Sequence, residues 1–142
     1  MIETPLQVLI VEDDHNTIER LSKLLESFGW VIASVLTTYK DALTGIKAGE
    51  VPNSNGTGKV SLNTIDMAFL DGNLSKGAEW GYEGAHIAEA LQTMAPTIIR
   101  IGFSLSTGQP EGTEFYFGKS GIFNPVRHQQ LVEYVNSKKP TP

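Results

Sequence analysis

Short apolar runs alternate with stretches of helical periodicity along this chain, and no other feature limits its possible folds as much. The run "VLIV" (8–11) is continuously apolar, as expected of a strand buried on both faces. In the following "EDDHNTIERLSKLLESFG", Ile18, Leu21, Leu24, Leu25 and Phe28 recur at three- and four-residue steps and form one helix face. Asn16 with Glu19 three residues on reads as a capping box, and Gly29 as a stop. "WVIASVL" (30–36) is a second strand rich in β-branched residues. Thr38 caps a second helix with Ala42, Leu43 and Ile46 as its apolar stripe and Gly49 as its end.

Residues 50–64, "EVPNSNGTGKVSLNT", are rich in Gly, Asn, Ser and Thr and read as a flexible loop. "IDMAFL" (65–70) is the third strand, and "GNLSKGAEWGYEG" (72–84) a long glycine-containing loop. A helix follows with Ile87, Leu91 and Met94 on one face, stopping before Pro96. "TIIRIGF" (97–103) is the fourth strand and "FYFGK" (115–119) the fifth. The segment between them, 104–114, is too short and too rich in Gly and Pro for a full helix. Asn124 and Pro125 start a last helix bearing Leu131, Val132 and Val135, and the tail 138–142 frays.

This alternation predicts an α/β protein, a doubly wound parallel sheet with helices on both faces. The 142 residues suit a single domain, 1–142, with its core at about 6–137. Hydrophobic residues at 40% against 19% charged are enough for a packed core and argue against disorder. The absence of cysteine excludes disulfides, iron–sulfur clusters and thiolate zinc sites. No apolar run approaches the roughly 20 residues that span a bilayer. "MIETPLQVLIV" lacks the basic start of a signal peptide, so the expectation is a soluble, cytoplasmic protein with no membrane insertion. A net charge of −5 disfavours nucleic-acid binding, which needs clustered Lys and Arg.

In doubly wound sheets, ligands sit beyond the carboxyl ends of the strands. The predicted strands end in Glu12, Asp13 and Asp14, then Asp71, Ser104 and Lys119. Singly, each has an ordinary explanation: a helix cap, a turn residue, a solvated lysine. Brought together by one sheet, they make chemical sense as a site. Clustered carboxylates repel and raise one another's pKa, which a hard divalent cation such as Mg²⁺ relieves through oxygen ligands. A lysine can pair with a phosphoryl oxygen and a serine hydroxyl can donate to another. One carboxylate is left to act as nucleophile.

With these residues in this order, the chain resembles the receiver domain of bacterial response regulators, from Val8 to about Val135. The resemblance implies a CheY-like, flavodoxin-like fold with five strands in the order 2-1-3-4-5. It makes Asp71 the phosphoacceptor, and Asp13, Asp14, Asp71 and the backbone carbonyl of Asn73 the Mg²⁺ ligands. It makes Lys119 and Ser104 catalytic, and Ser104 and Tyr116 the switch pair. It further implies phosphorylation by a histidine kinase or histidine phosphotransfer protein, self-catalysed phosphorylation and hydrolysis, and output through an unidentified downstream protein or a phosphorelay.

The chain departs from that family where Ser120 follows Lys119 in place of proline, and in its longer segments 50–64 and 72–84. The shortened stretch between Ser104 and Lys119 predicts a short, distorted or missing fourth helix, so output is expected from another or a remodelled surface. A competing reading is a pseudo-receiver that no longer switches and acts as a constitutive interaction module. A haloacid-dehalogenase-type phosphatase would need D-x-D at the nucleophile, but Gly72 and Asn73 follow Asp71. "NGTGKVS" (55–61) lacks P-loop spacing, because Val60 stands where Ser or Thr belongs. His15 reads as an exposed loop residue, and His86 and His128 as helix residues without phosphohistidine chemistry. Trp80 and Tyr82 either meet a partner or pin their loop.

Overall fold

The computed structural model describes residues 5–71, 82–104, 115–118 and 125–138. For Asp71, 82–85, 103, 104 and 115–118 the description is of the backbone. Five parallel strands form the main sheet: β1 (Gln7–Val11), β2 (Val31–Leu36), β5 (Met67–Asp71), β6 (Ile99–Ser104) and β7 (Phe115–Gly118). They run in the order β2-β1-β5-β6-β7, the expected doubly wound arrangement. Helices α1 (His15–Ser27), α2 (Tyr39–Ala48), α3 (Tyr82–Met94) and α4 (Pro125–Lys138) flank it.

Alternation along the strands builds two cores. Leu9, Val11, Ala68 and Leu70 face α2 and α3, where they meet Ala42, Ile46, Ile87, Ala88 and Leu91. Val8, Ile10, Met67, Phe69, Ile99 and Ile101 face α1 and α4, where Leu21, Leu25, Leu131 and Val135 close over them. Full burial of side chains such as Phe69 or Leu9 contributes roughly 2–3 kcal/mol each. At the amino end of the sheet, Asp66 ties three strands together. Its carboxylate accepts from the Gln7 N–H at 2.8 Å, its own N–H donates to the Gln7 carbonyl at 2.9 Å, and its carbonyl accepts from Ile99 at 3.0 Å.

Three local expectations are corrected. Helix α1 is capped by Asp14, not Asn16: Asp14 is extended (φ −91°, ψ 115°) and its carboxylate accepts from the Thr17 N–H at 3.0 Å. Both residues can cap, but Asp14 comes first after the strand, and an anion there also meets the positive end of the helix. Asn16 is thus inside the helix, and Glu19 pairs with Lys23 at 3.1 Å. Met94 is 45% exposed; the inward face of α3 passes through Ile87, Ala88 and Leu91 and continues to Ala95.

The third correction concerns 50–64, which is an ordered β-hairpin. β3 (Glu50–Pro52) pairs antiparallel with β4 (Lys59–Ser61), with Val51 opposite Val60, and a 3₁₀ turn (Leu62–Thr64) leads into β5. Asn53 organises the connection. Its N–H donates to the Gly58 carbonyl at 2.9 Å, its Oδ1 accepts from the Thr57 N–H at 3.0 Å, and Gly56 supplies a positive φ of 70°. Val51 and Leu62 are buried in the α2–α3 core, so the polar loop is anchored by two apolar residues. The hairpin loop also touches the sheet, where the Ser54 N–H donates to the Ala33 carbonyl at 2.9 Å.

Residues 82–84, read as the end of a loop, are the first residues of α3, and 72–81 lie outside the described residues; elsewhere the described pattern is as the residues suggest. Thr38 caps α2 through the Asp41 N–H at 3.1 Å, and Gly49 ends it at φ 80°. Gly45 lets the hairpin approach α2: a Cβ there would lie 3.0 Å from Val51 Cγ1 and 3.1 Å from the Glu50 carbonyl oxygen. The expected short or missing helix between Ser104 and Lys119 falls on 105–114, outside the described residues, as does the tail from 139 onward. Among the described residues, no helix is long and apolar enough to cross a membrane.

Candidate functional site

Parallel register determines which residues meet at the carboxyl end of the sheet. Val11 pairs with Leu70, Leu70 with Gly102, and Gly102 with Tyr116. One residue further along, Asp71 pairs with Phe103 and Phe103 with Phe117, while Glu12 follows Val11 on the other side of Asp71. Ser104 stands one step beyond, paired with Gly118. The backbones of Glu12, Asp13, Asp71 and Ser104 therefore gather at one end of the sheet, and Tyr116 lies one row below Asp71. Asn73 and Lys119 lie outside the described residues.

The first strand supplies three acids with three different environments. Glu12 is completely buried, and its Oε1 accepts from the Asp13 N–H at 3.0 Å and the Asp14 N–H at 3.1 Å. Those bonds fold the chain out of β1 and fix the path of the turn. Asp13 is exposed. The Asp14 carboxylate is engaged by the first turn of α1, through the Thr17 N–H and also the Thr17 hydroxyl. The same turn brings the positive end of the helix to the acids. Carboxylate oxygens suit a hard divalent cation, and the positively biased helix end suits phosphate oxygens. Among the described residues, no three ligating side chains form a metal-holding group.

The sequence reading named Glu12 as a strand-end acid but gave it no role. The available signal is its position: the apolar run stops at Val11, so Glu12 is the first residue past the strand and, by continuation of the register, the neighbour of Asp71 on the β1 side. His15 is exposed, but as the first residue of α1 and not as a loop residue. His128, on α4, packs its ring edgewise on Phe28 with centroids 5.9 Å apart. His86, on α3, has Nδ1 2.9 Å from the Tyr39 hydroxyl at the start of α2, a cross-helix bond that the sequence did not suggest.

No protein-family model matches the sequence. No curated protein matches it either. Solved structures do match in three dimensions. A CheY-like response regulator receiver domain protein from Methanospirillum hungatei JF-1 superposes with a TM-score of 0.62 at 19% identity, covering 95% of this chain and 94% of its own. A CheY-like receiver domain from Methylobacillus flagellatus gives 0.62 at 22% identity, covering 95% and 99%. A chain of the CheX–CheY–BeF₃–Mg²⁺ complex from Borrelia burgdorferi gives 0.64 at 18% identity, covering 94% and 88%. The fold is that of CheY-like response regulator receiver domains.

Proposed function

We propose that this receiver-fold chain is a phosphorylation-dependent signalling protein in which Asp71 accepts a phosphoryl group from a histidine kinase or a histidine phosphotransfer protein. The observation that carries this reading is the register of Val11 with Leu70, because it sets Asp71 beside the acids of β1 at the ligand-binding end of the sheet. A carboxylate oxygen of Asp71 attacks phosphorus. The new O–P bond forms as the N–P bond of phosphohistidine breaks, and the electron pair returns to the imidazole nitrogen. Water later attacks the acyl phosphate, releasing inorganic phosphate and regenerating the carboxylate.

The oxygen donors available fit Mg²⁺, which would offset the charge of the phosphoryl oxygens when bound. Asp13, Asp71 and the Asn73 carbonyl would hold it. The sequence reading had Asp14 as the second acid of β1. The capping bond of Asp14 and the burial of Glu12 next to Asp71 favour Glu12 for that place, with Asp14 as the structural cap. Lys119 would pair with a phosphoryl oxygen and Ser104 would donate to another. Movement of Ser104 toward the phosphoryl group, followed by Tyr116, would shift the population between two states. Output is then contact with a downstream protein or onward transfer of the phosphoryl group, in the cytoplasm.

Intact-mass spectrometry after incubation with acetyl phosphate and Mg²⁺ tests this reading. Wild type is expected to gain one phosphoryl mass, and Asp71→Asn none. A wild type that gains nothing would favour the constitutive interaction module.

A further inference from the structure

The loop of the β3–β4 hairpin holds Asn55–Gly56, and Asn55 is the only asparagine in the chain that is followed by glycine. The turn itself asks for this glycine: Gly56 has a φ of 70°, and a Cβ built on it would meet no atom within 4 Å. Asn55, Gly56 and Thr57 are all exposed. The two asparagines of the loop differ in what holds them. Asn53 is tied at both ends of its amide: Oδ1 accepts from the Thr57 N–H at 3.0 Å, and Nδ2 donates to the Thr57 hydroxyl at 3.1 Å. The Asn55 side chain makes no hydrogen bond among the described residues.

We propose that Asn55 is a site of spontaneous modification, where asparagine becomes isoaspartate and aspartate with water as the one co-reactant. Base takes the proton from the Gly56 nitrogen, which attacks Asn55 Cγ. The new N–C bond forms, the Cγ–Nδ2 bond breaks, and ammonia leaves behind a five-membered succinimide. Water then opens the ring, giving aspartate by addition at the backbone carbonyl-derived nitrogen's Cγ side and isoaspartate by addition at the backbone carbonyl carbon. No redox change occurs: NH is exchanged for O, and one negative charge is added to a chain already at −5. Glycine eases the attack because it carries no side chain to shield its nitrogen.

The loop sets the pace. In the folded hairpin the Gly56 N–H donates to the Asn53 carbonyl at 3.0 Å, so the nitrogen is held until the turn opens. The Asn53–Thr57 bonds keep the turn closed, and the reaction proceeds through local opening. In isoaspartate the chain runs through Cβ and Cγ, which lengthens the backbone between 55 and 56 and breaks the turn. That loosens the neighbouring Ser54, whose N–H holds the Ala33 carbonyl of β2 at 2.9 Å. The proposal uses no residue of the phosphorylation reading and stands independently of it.

Incubation of the full chain for days at mildly alkaline pH tests it, followed by tryptic mapping of residues 48–59, with an unincubated digest as the zero. The peptide should show NH exchanged for O at Asn55, with isoaspartate exceeding aspartate and Asn53 unchanged. Asn55→Gln should abolish the product, because closure would need a slower six-membered ring. Asn53→Ala deletes the bonds to Thr57 and should speed conversion at Asn55 at least about fivefold. Val51 and Leu62 anchor the hairpin from outside the loop, so both variants should keep the wild-type circular dichroism spectrum and melting curve. Conversion absent at Asn55, or equal at Asn53, overturns the site. A rate that Asn53→Ala leaves unchanged overturns its control by the loop.

Discussion

Val11 and Leu70 are direct partners in neighbouring parallel strands, so Glu12 and Asp71 leave the sheet next to each other. Glu12 is buried and holds two backbone amides of its own turn, while Asp14, two residues on, serves the helix. Nearby acids in one short motif thus hold different backbone amides, Glu12 those of the turn and Asp14 that of the helix.

That division predicts different results for Asp13 and Asp14. Asn caps a helix about as well as Asp, so Asp14→Asn should cost less than about 1 kcal/mol. It should also keep a rise in Tm on adding millimolar Mg²⁺, which follows from mass action if the cation binds the folded state. Asp13→Asn should abolish that rise. Thermal melts with and without Mg²⁺ measure both, and loss of the rise in Asp14→Asn would return Asp14 to the ligand set.

Ser34 offers a test of the sheet's interior. Its hydroxyl is fully buried in β2 and makes no hydrogen bond among the described residues. An unpaired buried hydroxyl carries a desolvation cost of about 1–3 kcal/mol. Removing it by Ser34→Ala should leave stability unchanged or raise it by up to about 1 kcal/mol, after the loss of a little packing. Urea unfolding would show this; a loss above about 1 kcal/mol would mean that the hydroxyl is doing something the fold depends on.

Gly45 predicts the opposite sign to helix propensity. In an isolated helix Gly→Ala gains about 1 kcal/mol. Here the added methyl would press on Val51 and on the Glu50 carbonyl, and overpacking of this sort costs about 1–3 kcal/mol. Gly45→Ala should therefore destabilise by about 1 kcal/mol in equilibrium denaturation. A stabilised variant would mean that the hairpin can back away from α2.

The sheet and its helices were legible because their signals are local and redundant. Thr38 and Gly49 bracket α2, Gly29 ends α1, and the unbroken apolar runs of β1 and β5 announce burial on both faces. The hairpin was hidden because each of its strands has three residues and only one apolar side chain, Val51 or Val60, amid turn-forming neighbours. The cap of α1 was misread because Asp14 and Asn16 are both chemically competent, and the choice depends on where the backbone leaves β1. Met94 fits the helical period but lies past the edge of the buried stripe, a distinction of one residue that only packing decides. The site's acids were visible as strand-end residues, but the neighbour of Asp71 follows from register, which composition and periodicity do not encode.

The bond from the Ser54 amide to the Ala33 carbonyl has a consequence for how the molecule behaves in a crowd. β2 is an outermost strand, and a bare outermost strand is a template on which a foreign strand can lengthen the ladder. The hairpin loop occupies one of its acceptors and lies against that flank. An insertion that resembles a slack tether thus serves as a bumper, and on that side open-ended stacking of molecules into fibres has no continuous starting line.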